Sequence, residues 1–138
     1  MNTKKYLLAS VSAFVVMYLL SWPGHEVLIP MVVESDPLES IYKSEPMMVG
    51  IMTAYLIVAL IMSYMYPKGV EGDNIYRNGL RFGALIGILV SLPISLIFYS
   101  IIDGFYFSHV ITETIWHVIE GSAGGIVIAY IYGSKSGA

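Results

Sequence analysis

Residues 47–66 read MMVGIMTAYLIVALIMSYMY, an apolar stretch without a single charged side chain. A transmembrane α-helix needs about 20 such residues to cross the hydrocarbon core, and this stretch supplies them. Pro46 precedes it and Pro67-Lys68 follows, so the sequence predicts a helix over 47–66 that stops at Pro67. The same pattern recurs on both sides. Tyr6 to Trp22 forms a first apolar run behind Lys4 and Lys5, Asn78 to Ile101 a third with Pro93 inside it, and Ser108 to Tyr132 a fourth. The fold class expected is all-α: an integral membrane four-helix bundle, up-down-up-down, built as a single transmembrane domain over 1–138 with spans at about 6–22, 47–66, 78–101 and 108–132.

The first run has the charged start and apolar middle of a signal peptide, but no small-x-small site closes it before Pro23, so a retained anchor is expected. Pro23-Gly24 interrupts the run and opens an outer loop over 23–46. Within that loop, Val27 to Val33 either continues the helix past a kink or lies in the interface as a short helix over 27–33. Residues 34–46 (ESDPLESIYKSEP) are polar and acidic, 67–75 make a short turn containing Gly69, Gly72 and Asn74, and the chain closes on GSKSGA.

Composition agrees with the spans. The 138 residues are 57% hydrophobic and 12% charged, against about 25% charged in a soluble domain. So small a chain cannot hide that much apolar surface from water. A formal charge of −3 with no basic stripe excludes nucleic acid as a partner. Cysteine is absent, which removes disulfides, thiolate metal sites and thiol redox chemistry. Orientation follows from the basic residues. With both termini in the cytoplasm, Lys4, Lys5, Lys68, Arg77, Arg81 and Lys135 face inward and only Lys43 faces out, as the positive-inside rule requires of a multi-pass protein of the inner (plasma) membrane.

Small residues recur every fourth position on two spans: Gly79, Gly83 and Gly87 on the third, Gly121, Gly125 and Ala129 on the fourth. Such stripes let helix backbones approach closely in lipid. They serve either the packing of the third span on the fourth or a dimer face. Four thin helices bury little by themselves, so a homo-oligomer or a place in a larger membrane complex is expected beside the lipid bilayer.

The fourth span carries SHVITETIWHVIEG (108–121). Advancing about 100° per residue, His109, Glu113, His117 and Glu120 fall within roughly 80° of one another. Ionisable groups at membrane depth cost several kcal/mol unless they meet partners or water, and they mark function by default. The stripe must therefore face the bundle interior, a wet cavity or another subunit. His25 and Glu26 are its natural partners, and Tyr18, Ser21, Thr53, Tyr55, Ser95 and Tyr99 can add hydroxyls. Three chemistries fit: a divalent metal on imidazole and carboxylate (zinc, iron, manganese or copper), a proton or ion relay, or haem b held between His25 and His109 or His117. A purely structural network, with Trp116 and Tyr106 as packing or interfacial aromatics, accounts for the same residues. The eight methionines are scattered and read as adaptable packing. Neither a phosphate-cradling loop nor a nucleophile elbow is found.

The stretches NGLRFGALIG, TIWHVIEGSAGG and YIYG resemble the second half of small uncharacterised prokaryotic four-span membrane proteins, in which a Gly-rich span precedes one bearing Trp and polar residues. The resemblance implies a fold and brings no activity with it. The reading that results is a small membrane protein with an outward-facing His/Glu pocket that binds a cation or relays protons, in transport or in a membrane enzyme. Its rival is a non-catalytic accessory or assembly subunit.

Overall fold

In hydrocarbon every backbone N–H and C=O must find its partner within the protein, so an apolar run of this length folds as a helix. The computed structural model describes residues 2–33, 38–39, 42–69 and 74–133. They form α1 (Thr3–Pro23), a π-helical turn (Gly24–Leu28), α2 (Ile29–Val32), α3 (Met48–Gly69), α4 (Ile75–Ile101) and α5 (Phe107–Tyr132), with no strand among the described residues. α1, the π turn and α2 run on without a break. The described chain thus has four helical units long and apolar enough to cross a membrane: Thr3–Val32, Met48–Gly69, Ile75–Ile101 and Phe107–Tyr132. Their outward faces carry Leu7, Leu19, Leu85 and Leu89, all exposed, a surface suited to lipid. Glu34, Asp36, Pro37, Gly72 and Lys135 lie outside the described residues.

Proline shapes two of the helix ends. Of the two alternatives for the segment after Pro23, the structure has the continued helix, with a change of winding in place of a kink. The Ile29 N–H reaches back five residues to the Gly24 carbonyl, and helix continues to Val32. Pro23 and Pro30 each lack the donor that a regular turn would use, and a π turn between them absorbs the mismatch. Likewise α3 does not stop at Pro67 but runs through it to Gly69. Pro67 cannot donate to the Ser63 carbonyl four residues back, and the Tyr132 hydroxyl of α5 donates to that carbonyl instead, at 2.9 Å. The helix starts are capped conventionally: Asn2 Oδ1 accepts from the Lys4 and Lys5 amides, and Asn74 Oδ1 from the Arg77 amide.

α1 lies between α3 and α5, α4 packs along α5, and α3 and α4 meet at few positions, the Tyr66 and Phe82 rings among them. The core joins Ala9, Ala13 and Met17 of α1, Ala59, Met62 and Tyr66 of α3, and Ile128 and Ala129 of α5. α4 and α5 approach closest. A Cβ placed on Gly83 would run into the Gly121 carbonyl, one on Gly87 into the His117 carbonyl, and one on Gly125 into the Gly79 carbonyl. Residue numbers rise on one helix as they fall on the other, so the two are antiparallel and in backbone contact. All five stripe glycines stand in this interface. The α4 stripe also continues beyond Gly87, since Ser91 and Ser95 are buried on the same face. Gly124 faces α1, where a Cβ would meet the Met17 sulfur at 2.7 Å.

Gly83→Ala lowers the melting temperature in detergent by the equivalent of about 1–3 kcal/mol, the usual cost of overpacking. Gly50→Ala, where a Cβ meets nothing within 4 Å, is neutral or stabilising. Tyr132→Phe costs about 1 kcal/mol, and that cost shrinks in a Pro67→Ala background, where residue 67 regains the amide that serves the Ser63 carbonyl. A thermal double-mutant cycle reads this coupling.

Candidate functional site

The antiparallel docking of α4 on α5 fixes the rotation of α5. On a helix advancing about 100° per residue, its Gly121–Gly125 edge lies beside the polar stripe. With that edge held against α4, the stripe turns toward α1 and α3. Glu120, at 3% exposure, is buried near the middle of α5. A carboxylate so placed needs donors, and it has them. Trp116 Nε1 donates to Oε1 at 3.0 Å, while the Tyr55 hydroxyl of α3 lies 3.4 and 3.3 Å from Oε1 and Oε2. The Trp116 indole can lie there because Gly24 has no side chain, for a Cβ at Gly24 would overlap the indole nitrogen.

The π turn of the first span sets His25 against α5. Its ring centroid lies 5.5 Å from that of His117, tilted by 60°. Glu113 Oε2 lies 3.9 Å from His25 Nδ1 and 3.8 Å from His117 Nδ1, within ion-pair range but beyond a hydrogen bond. The Glu113 backbone carbonyl lies 2.8 Å from His117 Nδ1. A carbonyl can only accept, so Nδ1 of His117 donates in this contact, and in the neutral imidazole Nε2 is the nitrogen with the lone pair. One ligand atom from each of His25, His117 and Glu120 lies within 4.8 Å of the other two. Two imidazoles and a carboxylate at this spacing can converge on one divalent cation, with Nδ1–H bonding of the kind that orients metal-bound histidines.

The remaining stripe residues are placed otherwise. His109 is buried at the start of α5, where its Nδ1 accepts from the Tyr106 amide at 3.1 Å and its ring packs on Phe105. It caps the helix. Glu26 is exposed and, with His25, His109, Glu113 and His117, lines a cavity of about 760 Å³ at the end of the bundle where α1 and α2 meet the start of α5. Among the candidate hydroxyls, Tyr55 reaches the cluster, and Ser95 lines this cavity. Ser21 donates to the Tyr18 carbonyl and also meets the Tyr55 hydroxyl, Thr53 donates to a carbonyl of its own helix, and Tyr99 is exposed and packs on Phe107.

Sequence reasoning passed over three residues: Gly24, read as a break; Trp116, read as a packing aromatic; and Ser91. Ser91 is buried in the wall of the large cavity, and its Oγ has no hydrogen-bond partner among the described residues. Extending the small-residue stripe of α4 by one more step of four would have found it.

Removing the Glu120 carboxylate separates its two consequences. Glu120→Leu strands the Trp116 N–H and costs about 1–3 kcal/mol for that donor, while the Tyr55 hydroxyl keeps Ser21 beside it. Glu120→Gln keeps an acceptor oxygen and costs less. Thermal melting compares the two, and Trp116 emission in a Trp22→Phe background reports the loss of the indole hydrogen bond.

Comparison of the chain with protein-family models, with curated proteins and with solved structures yields no match.

Proposed function

We propose that the chain is a four-span inner-membrane protein, up-down-up-down with both termini cytoplasmic, that binds a divalent transition-metal cation on His25, His117 and Glu120. The observation that carries this reading is the convergence of three ligand atoms, from the first and last spans, within 4.8 Å. The donor set supports it. Imidazole with carboxylate suits zinc, iron, manganese or copper(II), and three protein ligands with an open fourth position is the pattern of catalytic zinc sites. Glu113, beside both imidazoles, is placed to hold a proton near a cation-bound group. The large cavity carrying His25, Glu26, Glu113 and His117 is the route from the outer surface to the cation. The distribution of basic residues supports the orientation, with six of seven on the cytoplasmic side.

A second reading has its own observation. The bonds from Trp116 and Tyr55 satisfy Glu120 without any ion, which favours an accessory subunit whose polar cluster fixes helix register.

Metal analysis decides between them. Protein purified without chelators, then titrated with zinc or cobalt(II), binds close to one equivalent. His25→Gln and His117→Gln each weaken binding by about 10-fold or more while leaving the fold intact. A wild type that takes up no metal sinks the cation reading and leaves the structural one. The absence of cysteine makes the orientation equally open to test. Lys43→Cys reacts with a membrane-impermeant maleimide in intact cells, and Asn2→Cys reacts only after permeabilisation. The reverse pattern would invert the topology.

A further inference from the structure

A second, smaller cavity opens beside the cluster. It holds about 180 Å³ and lies between α3 and α4, walled by Ala54, Val58, Ile86 and Val90. Apart from Tyr55, His117 and Glu120 its lining is apolar. A cavity of about 150 Å³ with apolar walls accepts a benzene ring, so this one has room for a segment of hydrocarbon chain.

Its position states what would fill it. Residues 54–62 fall in the middle of α3, 86–90 in the middle of α4, and 117–121 in the middle of α5. The gap therefore opens at the depth of the bilayer core. From Met48 to Ile57 every α3 residue except Tyr55 is exposed, so this half of α3 stands off from its neighbours and leaves the gap unblocked. In a bilayer the medium at that opening is lipid tail. The polar side is equally defined. His117 and Val90 line both this gap and the 760 Å³ cavity, so the cluster stands at the meeting point of an apolar lateral opening and a polar outer one.

We infer that the ligand handled at this site is a membrane amphiphile: its hydrocarbon chain lies in the gap between α3 and α4, and its polar end reaches the His25–His117–Glu120 cluster. This rests on the cation site proposed above for what the polar end meets, while the route of the chain rests on the gap alone. The polar end is a group that can bind a cation or accept a hydrogen bond, such as an ester, phosphate or carboxylate head. Glu120 then has two roles: a cation ligand, and the innermost polar wall of the chain's path.

Hydroxamates test both parts. Acetohydroxamate and decanohydroxamate carry the same chelating head with and without a chain, and each perturbs the visible spectrum of the cobalt(II)-loaded full-length protein in detergent. Wild type binds both. Ala54→Phe and Val58→Phe fill the gap, and each weakens decanohydroxamate by at least about tenfold, the scale of an overpacking cost; acetohydroxamate reports the cation site in every variant. Leu85→Phe, on the outer face of α4, is the control and leaves the tailed probe unaffected. Unchanged decanohydroxamate binding in both filled variants, with cobalt and acetohydroxamate still bound, overturns the inference alone. Failure to load cobalt overturns the cation reading.

A second measurement needs no metal. A fatty acid carrying a diazirine on the carbons next to its carboxyl group, photolysed with the protein in bilayer nanodiscs, labels the Glu120 carboxylate in wild type. It loses that label in Ala54→Phe. A wild type labelled only on its outer faces overturns the lateral route.

Discussion

The contact of α4 with α5 is the constraint on which the other placements depend. Lipid offers no hydrophobic force between helices, so association rests on close packing and hydrogen bonds. Glycines on both sides bring the backbones together at Gly79–Gly125, Gly83–Gly121 and Gly87–His117. One wide side chain in that seam would separate the helices or rotate one against the other. The seam leaves α5 a single orientation. Its glycine edge is committed to α4, so the adjoining polar face must look to α1 and α3. The His/Glu cluster is where it is because the glycines are where they are.

That orientation carries an electrostatic demand, and the first and third spans meet it. A buried carboxylate in the middle of a span is tolerated only with donors around it. Tyr55 comes from the first turns of α3, where it alone between Met48 and Ile57 is not exposed, and Trp116 from the previous turn of α5, in room left by Gly24. Tyr132 serves the Ser63 carbonyl in the same way at the other end of the bundle. In both places an aromatic side chain with a polar tip supplies the hydrogen bond that water would supply in a soluble protein.

The sequence allowed the four spans and the polar stripe of α5 to be read with little ambiguity, because both depend on periodicity within one helix. Length and apolarity identify a span, and a rise of about 100° per residue groups His109, Glu113, His117 and Glu120. Relations between helices were not legible. His109 and His117 look equivalent on a helical wheel, yet one caps its helix through the Tyr106 amide and the other turns toward His25. Tyr55 was one of six candidate hydroxyls, and nothing local singles it out. Proline misled for a physical reason. Its rule as a helix breaker assumes that the freed carbonyl goes unsatisfied, whereas a tyrosine 65 or more residues away can bond it, as Tyr132 does for Ser63 behind Pro67.

The π turn at Gly24–Leu28 has a consequence for how such a site could arise. A π turn holds one residue more than the α-turn it replaces. Every side chain beyond it is rotated by about 100° from where regular winding would put it. Deleting a single residue there would restore an ordinary helix and carry the downstream face away from α5, with little change in length or hydropathy. The wall that Ile29, Pro30 and Val33 give the large cavity is thus separated from its loss by one codon. Across descendants of this fold, the length of the segment between Pro23 and Pro30 would be a sharper marker of that wall than the identity of the residues in it.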